Sequence, residues 1–212
     1  MEVPPTYLPP RRSKNGLLIG IIVGAICLCC LLGSLVVGGG WFAFRSVSGT
    51  AGCVITFTEM SKAMTKYESS HKGKLPKADT WQDDLRSDLR KSLLPKEQAG
   101  PFPQISPDGD WGCRESDGAS TGLAFNSDVS GKSLDDIKDS EKTVVLFETI
   151  KPEKNQHMKY SRLDPKTSPK IFGSPRGWFF ITANGDVWTD SPKKGPQRIG
   201  NSNMGANVQF HS

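Results

Sequence analysis

Residues Leu17 to Phe44 read LLIGIIVGAICLCCLLGSLVVGGGWFAF, an apolar run without a single charged side chain. Wound as an α-helix at ~1.5 Å per residue, a run of this length matches a hydrocarbon core of roughly 30 Å, so the sequence predicts one transmembrane helix. Arg11, Arg12 and Lys14 precede it and only Arg45 follows closely, which places the N-terminus in the cytoplasm by the positive-inside rule. Trp41, Phe42 and Phe44 fall where an aromatic belt meets the outer interface. A cleaved signal peptide has an apolar core of about 7–15 residues, much shorter than this run, so the segment reads as an uncleaved anchor.

Within the run, Gly20 and Gly24 form a GxxxG pair, a candidate site for close packing of two membrane helices and hence for self-association. Cys27, Cys29 and Cys30 read as small apolar fillers rather than metal ligands, because no supporting ligand stands near them. The domain expectation is a disordered, proline-rich tail over 1–15, a transmembrane helix over 16–46 and one exported domain over 47–212. The tail carries Pro4-Pro5-Thr6-Tyr7, a PPxY pattern of the kind that WW domains read.

The exported part is long enough for one core. Its charge is dispersed, and the net charge of +5 marks no nucleic-acid surface. Apolar residues at Val54, Phe57, Met60, Met64 and Tyr67 recur in steps of three or four, widened by Ile55 and Ala63, and predict an amphipathic helix ending near Gly73. A second helix is signalled from Thr80 to Leu94, with Trp81, Leu85, Leu89 and Leu93 at a spacing of four and Pro95 as its stop. The Pro/Gly/Asp-rich stretch to Gly118 reads as a long loop. Its Asp108, Asp110, Glu115 and Asp117 lack EF-hand spacing and fit turn chemistry instead of calcium binding.

Strand signals follow at Thr121–Asn126, at Thr143–Ile150 (TVVLFETI), and in a hairpin over Trp178–Thr189 turning at Asn184-Gly185, with Asn207–Phe210 as a closing strand. Lys151–Arg176 reads as a polar insertion. Helices first and strands afterwards predict an α+β fold, a small antiparallel sheet with long loops packed on the amphipathic helix.

Two stretches, KAMTKYESSHKGKLPKADTWQDDL ending at Leu85 and GLAFNSDVSGKSLDDIKDSEKTVVLFE over Gly122–Glu148, resemble the pilin-like, pseudopilin-related exported proteins of bacteria. The resemblance implies a pilin-like fold, a single-pass position in the cytoplasmic (inner) membrane, and a structural, assembly or interaction role with an envelope protein partner. The prepilin glutamate is missing, since the fifth residue after Gly16 is Ile21. The family's ADGHV-like strand is echoed at Ala183-Asn184-Gly185-Asp186-Val187.

No motif for catalysis, cofactor or metal binding appears. His71, His157 and His211 are scattered, and Asp83-Asp84 and Asp135-Asp136 suit helix starts, so no catalytic residue is nominated and a non-enzymatic role is expected. Two other readings stand beside it: a tethered binding module for a polysaccharide, peptide or protein that uses Trp111, Trp178 or Trp188, and an enzyme without recognisable motifs. Cys53 and Cys113 are the only cysteines beyond the apolar run, and they form the candidate disulfide expected in an oxidising compartment.

Overall fold

A computed structural model describes residues 40, 41, 43, 44, 47–92, 111–113, 120–199 and 210. The chain divides into two compact units, Met1–Ala43 and Phe44–Ser212. Of the first, only residues 40, 41 and 43 are described, and they have helical backbone. The second unit holds every element discussed below.

Helix α1 occupies residues 47–70 and helix α2 Trp81–Ser92. Eight strands follow: β1 (Gly122–Asn126), β2 (Val144–Thr149), β3 (His157–Met158), β4 (Lys170–Ile171), β5 (Ser174–Pro175), β6 (Trp178–Thr182), β7 (Val187–Ser191) and β8 (Gly195–Arg198). Six of them make one sheet in the order β3-β1-β2-β6-β7-β8, and β4 and β5 form a separate hairpin. The β1–β3 pair is parallel and the other pairs are antiparallel, so the large sheet is mixed.

This architecture corrects the expected fold. The sheet is neither small nor wholly antiparallel, and the arrangement is not pilin-like. No helix among the described residues is long and apolar enough to cross a membrane. The reason lies in the faces of the helices. Helix α1 sets Phe57, Met60, Ala63 and Met64 into the core but carries Lys62 and Lys66 outward, charges that a hydrocarbon core would penalise heavily. Helix α2 has 12 residues, about 18 Å of rise, with Asp83, Asp84, Arg90 and Lys91 at its ends. The single-pass inner-membrane placement therefore has no described helix to support it. Most of the apolar run, including Gly20 and Gly24, lies outside the described residues, as do Asp108, Asp110, Glu115, Asp117 and His211.

Period-two alternation assigns the strands' side chains to two faces. Leu123, Phe125, Phe179, Ile181 and Val187 join the helices' apolar residues in the main core. Phe57 of α1 meets Phe179 with ring centroids 5.5 Å apart, and Trp81 of α2 meets Phe125 at 6.2 Å. The opposite face carries the cross-strand row Ala124, Phe147, Phe180 and Trp188, with Tyr160 and Phe210 packed over it. Between Val144 and Leu146 the β2–β6 register slips. Val145 and Leu146 both enter the helix-side core as a result, whereas Val144 and Phe147 face the other way.

The helices are tied to the sheet by polar contacts as well. Ser61 of α1 donates to the carbonyl of Gly185 in the β6–β7 turn at 2.5 Å, and the Trp81 indole donates to the carbonyl of Gln156 at 3.0 Å. Gln82 and Asn155 exchange two hydrogen bonds, each from a backbone N–H to the other's side-chain oxygen. The ADGHV-like echo falls on that β6–β7 turn: Asn184 donates to Asp186 at 2.7 Å, and Gly185 takes a φ of 84°, a left-handed value that suits glycine.

Near the C-terminal end of α1, Glu68 is only 8% exposed, and burial pushes its carboxyl up from 4.5 to about 7. A folded state that holds this proton more tightly than the unfolded chain gains stability below the unfolded value and loses it as pH rises through 7. Glu68→Gln should therefore raise the melting temperature at pH 8, with the difference from the parent shrinking towards pH 5. Melting curves across that range check it, and a gap independent of pH would contradict the assignment.

Candidate functional site

A buried polar centre lies where β2, the start of β6 and the N-terminal half of α1 meet. Glu148 sits on the helix-facing side of β2, opposite Leu123 of β1, and its side chain is fully buried. Arg176, directly after β5 and two residues before β6 begins, reaches it with a side chain only 1% exposed. The guanidinium is bidentate: Nη1 donates to Oε2 at 2.9 Å and Nη2 to Oε1 at 2.5 Å. Thr121 donates its hydroxyl to Oε1 at 2.5 Å, and the Phe179 backbone N–H donates to Oε2 at 3.1 Å. The carboxylate thus takes two donors on each oxygen, which fills its acceptor positions.

Arg176 has further company. Its Nη1 donates to the carbonyl of Gly177 at 2.6 Å, its Nη2 lies 3.8 Å from the sulfur of Cys53, and its Cζ stands 4.7 Å from the centroid of the Phe179 ring. Gly177, the next residue, has a φ of 97°, and a Cβ there would stand 2.5 Å from the carbonyl oxygen of Asp190. Only glycine lets the chain turn closely past β7 at this point, which is what delivers Arg176 to Glu148.

Cys53 and Cys113 form a disulfide over this pair, with Cα atoms 5.1 Å apart and a sequence separation of 60. The bridge fastens the segment 111–113 to α1. Trp111 inserts beside Trp81 in an edge-on contact at 5.3 Å, and the Thr121 N–H donates to the carbonyl of Cys113 at 2.9 Å. The Cys53 and Cys113 sulfurs and a Glu148 oxygen lie within 4.8 Å of one another, close enough to hold a metal ion. Their chemistry opposes it: both sulfurs are spent in the disulfide, the carboxylate is saturated, and a cation placed there would face the Arg176 guanidinium. The cluster is therefore a structural centre.

The other residues singled out from the sequence are dispersed. His71 stacks on Tyr67 at 3.8 Å at the end of α1, and His157 is exposed on β3. Asp84 accepts a hydrogen bond from Thr80 at 2.9 Å at the start of α2. Its neighbour Asp83 is held below the usual carboxylate range first by a hydrogen bond from Asn155, helped by Lys154 and Arg86. Asp135 and Asp136 lie in a short 3-10 turn. Trp111, Trp178 and Trp188 are 3%, 6% and 2% exposed, so none offers the contact surface expected of them.

Sequence reasoning overlooked Arg176 and Glu148. The signal was present in TVVLFETI, where a single carboxylate interrupts a strand whose other side chains are buried, and such a charge demands a partner. Nothing in the sequence identified Arg176 as that partner, because it closes a stretch that reads as polar loop.

Two surface features among the described residues lie beyond this centre. A groove of about 380 Å³ opens between the ends of β2 and β3 and the segment after β3, lined by Phe147, Ile150, Met158 and Leu163, with Lys151 and Glu153 at its rim. Ile150 is 65% and Met158 43% exposed. A second hollow of about 460 Å³ lies between residues 162–166 and the β7–β8 turn. No family model, no curated protein and no solved structure matches the chain.

The buried centre yields a direct expectation. Closing a loop of 60 residues stabilises by about 4 kcal/mol in the chain-entropy picture. Cys113→Ser should lower the unfolding free energy by ~2–4 kcal/mol in urea titrations. A change below about 0.5 kcal/mol would show that 111–113 is held without the bridge.

Proposed function

We propose that the domain is a non-catalytic interaction module that binds a protein partner through the groove at Ile150 and Met158. The observation that carries this reading is the pair of large apolar side chains left open to water beside an apolar floor of Phe147 and Leu163. Burying such side chains against a partner contributes about 1.5–3 kcal/mol each, and fixed apolar contacts of this kind anchor protein interfaces. The lysine and glutamate at the rim balance each other, which suits a partner segment without strong charge.

The position of the groove fits a passive role. It sits at the edge of a sheet whose interior is locked by the disulfide and the Glu148–Arg176 pair, so the floor is rigid and little ordering entropy opposes binding. A photo-reactive amino acid placed at position 150 in cells should give one discrete cross-linked partner. The same probe at Lys138, an exposed position outside the groove, should give none. Absence of any cross-link from position 150, or identical products from both positions, would overturn the reading.

A further inference from the structure

We infer that the end of the sheet where β6 begins and β7 ends is a binding surface for an acidic polysaccharide, adjoining the groove at Ile150 only across Leu163. Four exposed lysines stand on the segments that meet there. Lys166 follows the start of the short 3-10 helix Pro165–Thr167, Lys170 opens β4, and Lys193 and Lys194 form the turn between β7 and β8.

The topology brings these segments together. Trp178 pairs with Asp190, and Ser191 with Gly195, so the β7–β8 turn projects from the sheet end at which β6 begins. Ser168 accepts a hydrogen bond from the Gly177 N–H at 2.8 Å, and the Arg176 N–H donates to the carbonyl of Pro169 at 2.9 Å, which pins 168–169 to that same end. The Trp178 indole donates to the carbonyl of Asp164 at 3.0 Å. Between these segments lies the hollow of about 460 Å³, with Lys166 on its wall and Leu163, Pro165 and Pro192 as its apolar parts.

The charge balance is one-sided. Arg162 also lines the hollow, but it is neutralised by Asp190, to which it donates from Nε at 2.5 Å and Nη2 at 2.9 Å. The exposed Asp164 accepts from the Lys166 backbone N–H at 2.9 Å and keeps its charge, so it offsets one of the four lysines and leaves an excess of positive charge on these segments. Among the described residues none of the four lysines has an ion-pair partner, in contrast to Lys62, Lys142, Lys154 and Lys159 elsewhere on the domain. One lysine on the wall of a partly apolar hollow, with three more on the segments beside it, fits a chain of sugar rings bearing repeated carboxylate or sulfate groups: the lysines meet the anions and the apolar wall meets a ring face.

The full chain applied to immobilised heparin gives the test. It should be retained and released by salt. Reversal of Lys166, Lys170, Lys193 and Lys194 to Glu should weaken binding at least tenfold. Reversal of four other exposed lysines, Lys74, Lys77, Lys132 and Lys138, makes the same change in net charge and should weaken it much less. Equal losses from both sets would overturn the assignment, as would no retention of the parent or binding of duplex DNA as tight as that of heparin. The groove at Ile150 is untouched in both variants, so neither result depends on it.

Discussion

The buried ion pair between Glu148 and Arg176 is the constraint to which the surrounding structure answers. Two charges removed from water cost several kcal/mol each unless geometry and hydrogen bonds compensate almost completely. The fold meets that condition with a bidentate guanidinium, the Thr121 hydroxyl and the Phe179 N–H on one carboxylate. Each donor comes from a different part of the domain: the residue before β1, the turn into β6, and β6 itself. Correct pairing of the strands and full satisfaction of the carboxylate are therefore the same event. The disulfide between Cys53 and Cys113 adds α1 and the segment 111–113 to this arrangement and covers the pair from above.

Around this centre the two sides of the sheet have different chemistry. The helix side is aliphatic and aromatic, filled by Phe57, Met60, Leu85 and Leu89. The other side is an aromatic stack, with no helix over it among the described residues. There Phe180 and Trp188 lie parallel, Phe210 meets both edge-on at 4.7 and 5.0 Å, and Tyr160 meets Phe147 at 5.2 Å. Burial, reinforced by the nearby Asp190, pushes the Tyr160 hydroxyl up to about 12, so it remains a neutral cover over the stack. This cover stops short at Ile150 and Met158, and the uncovered end is the groove. The hollow with Lys166 on its wall adjoins the groove across Leu163, which lines both, so one covering segment contributes to an apolar surface and to a cationic one.

Elements whose side chains alternate by face were legible in the sequence. The stripe through Phe57, Met60 and Met64 marked α1, the spacing of Trp81, Leu85 and Leu89 marked α2, and β-branched and aromatic runs marked β1, β2 and the β6–β7 hairpin. Strand β8 escaped because Gly195-Pro196-Gln197-Arg198 has no apolar face of its own, its place being set by pairing with β7. Strands β3, β4 and β5 are two residues each, too short to carry a period. The apolar run before residue 45 led to a membrane-anchored, pilin-like expectation, whereas the described helices are amphipathic and serve a six-stranded mixed sheet. Of the sites, the cysteine pair was legible from its isolation in the sequence. The ion pair it covers was not, since a contact spanning 28 positions leaves no local pattern.

A double-mutant cycle on Glu148→Leu and Arg176→Met measures most directly whether the buried pair governs the fold. Each single change leaves an uncompensated buried charge and should cost ~3–5 kcal/mol. The double variant removes both charges together, so its loss should fall short of the sum by ~2 kcal/mol or more. Additive losses within ~0.5 kcal/mol would mean that the two side chains act independently and that the pair does not govern the fold.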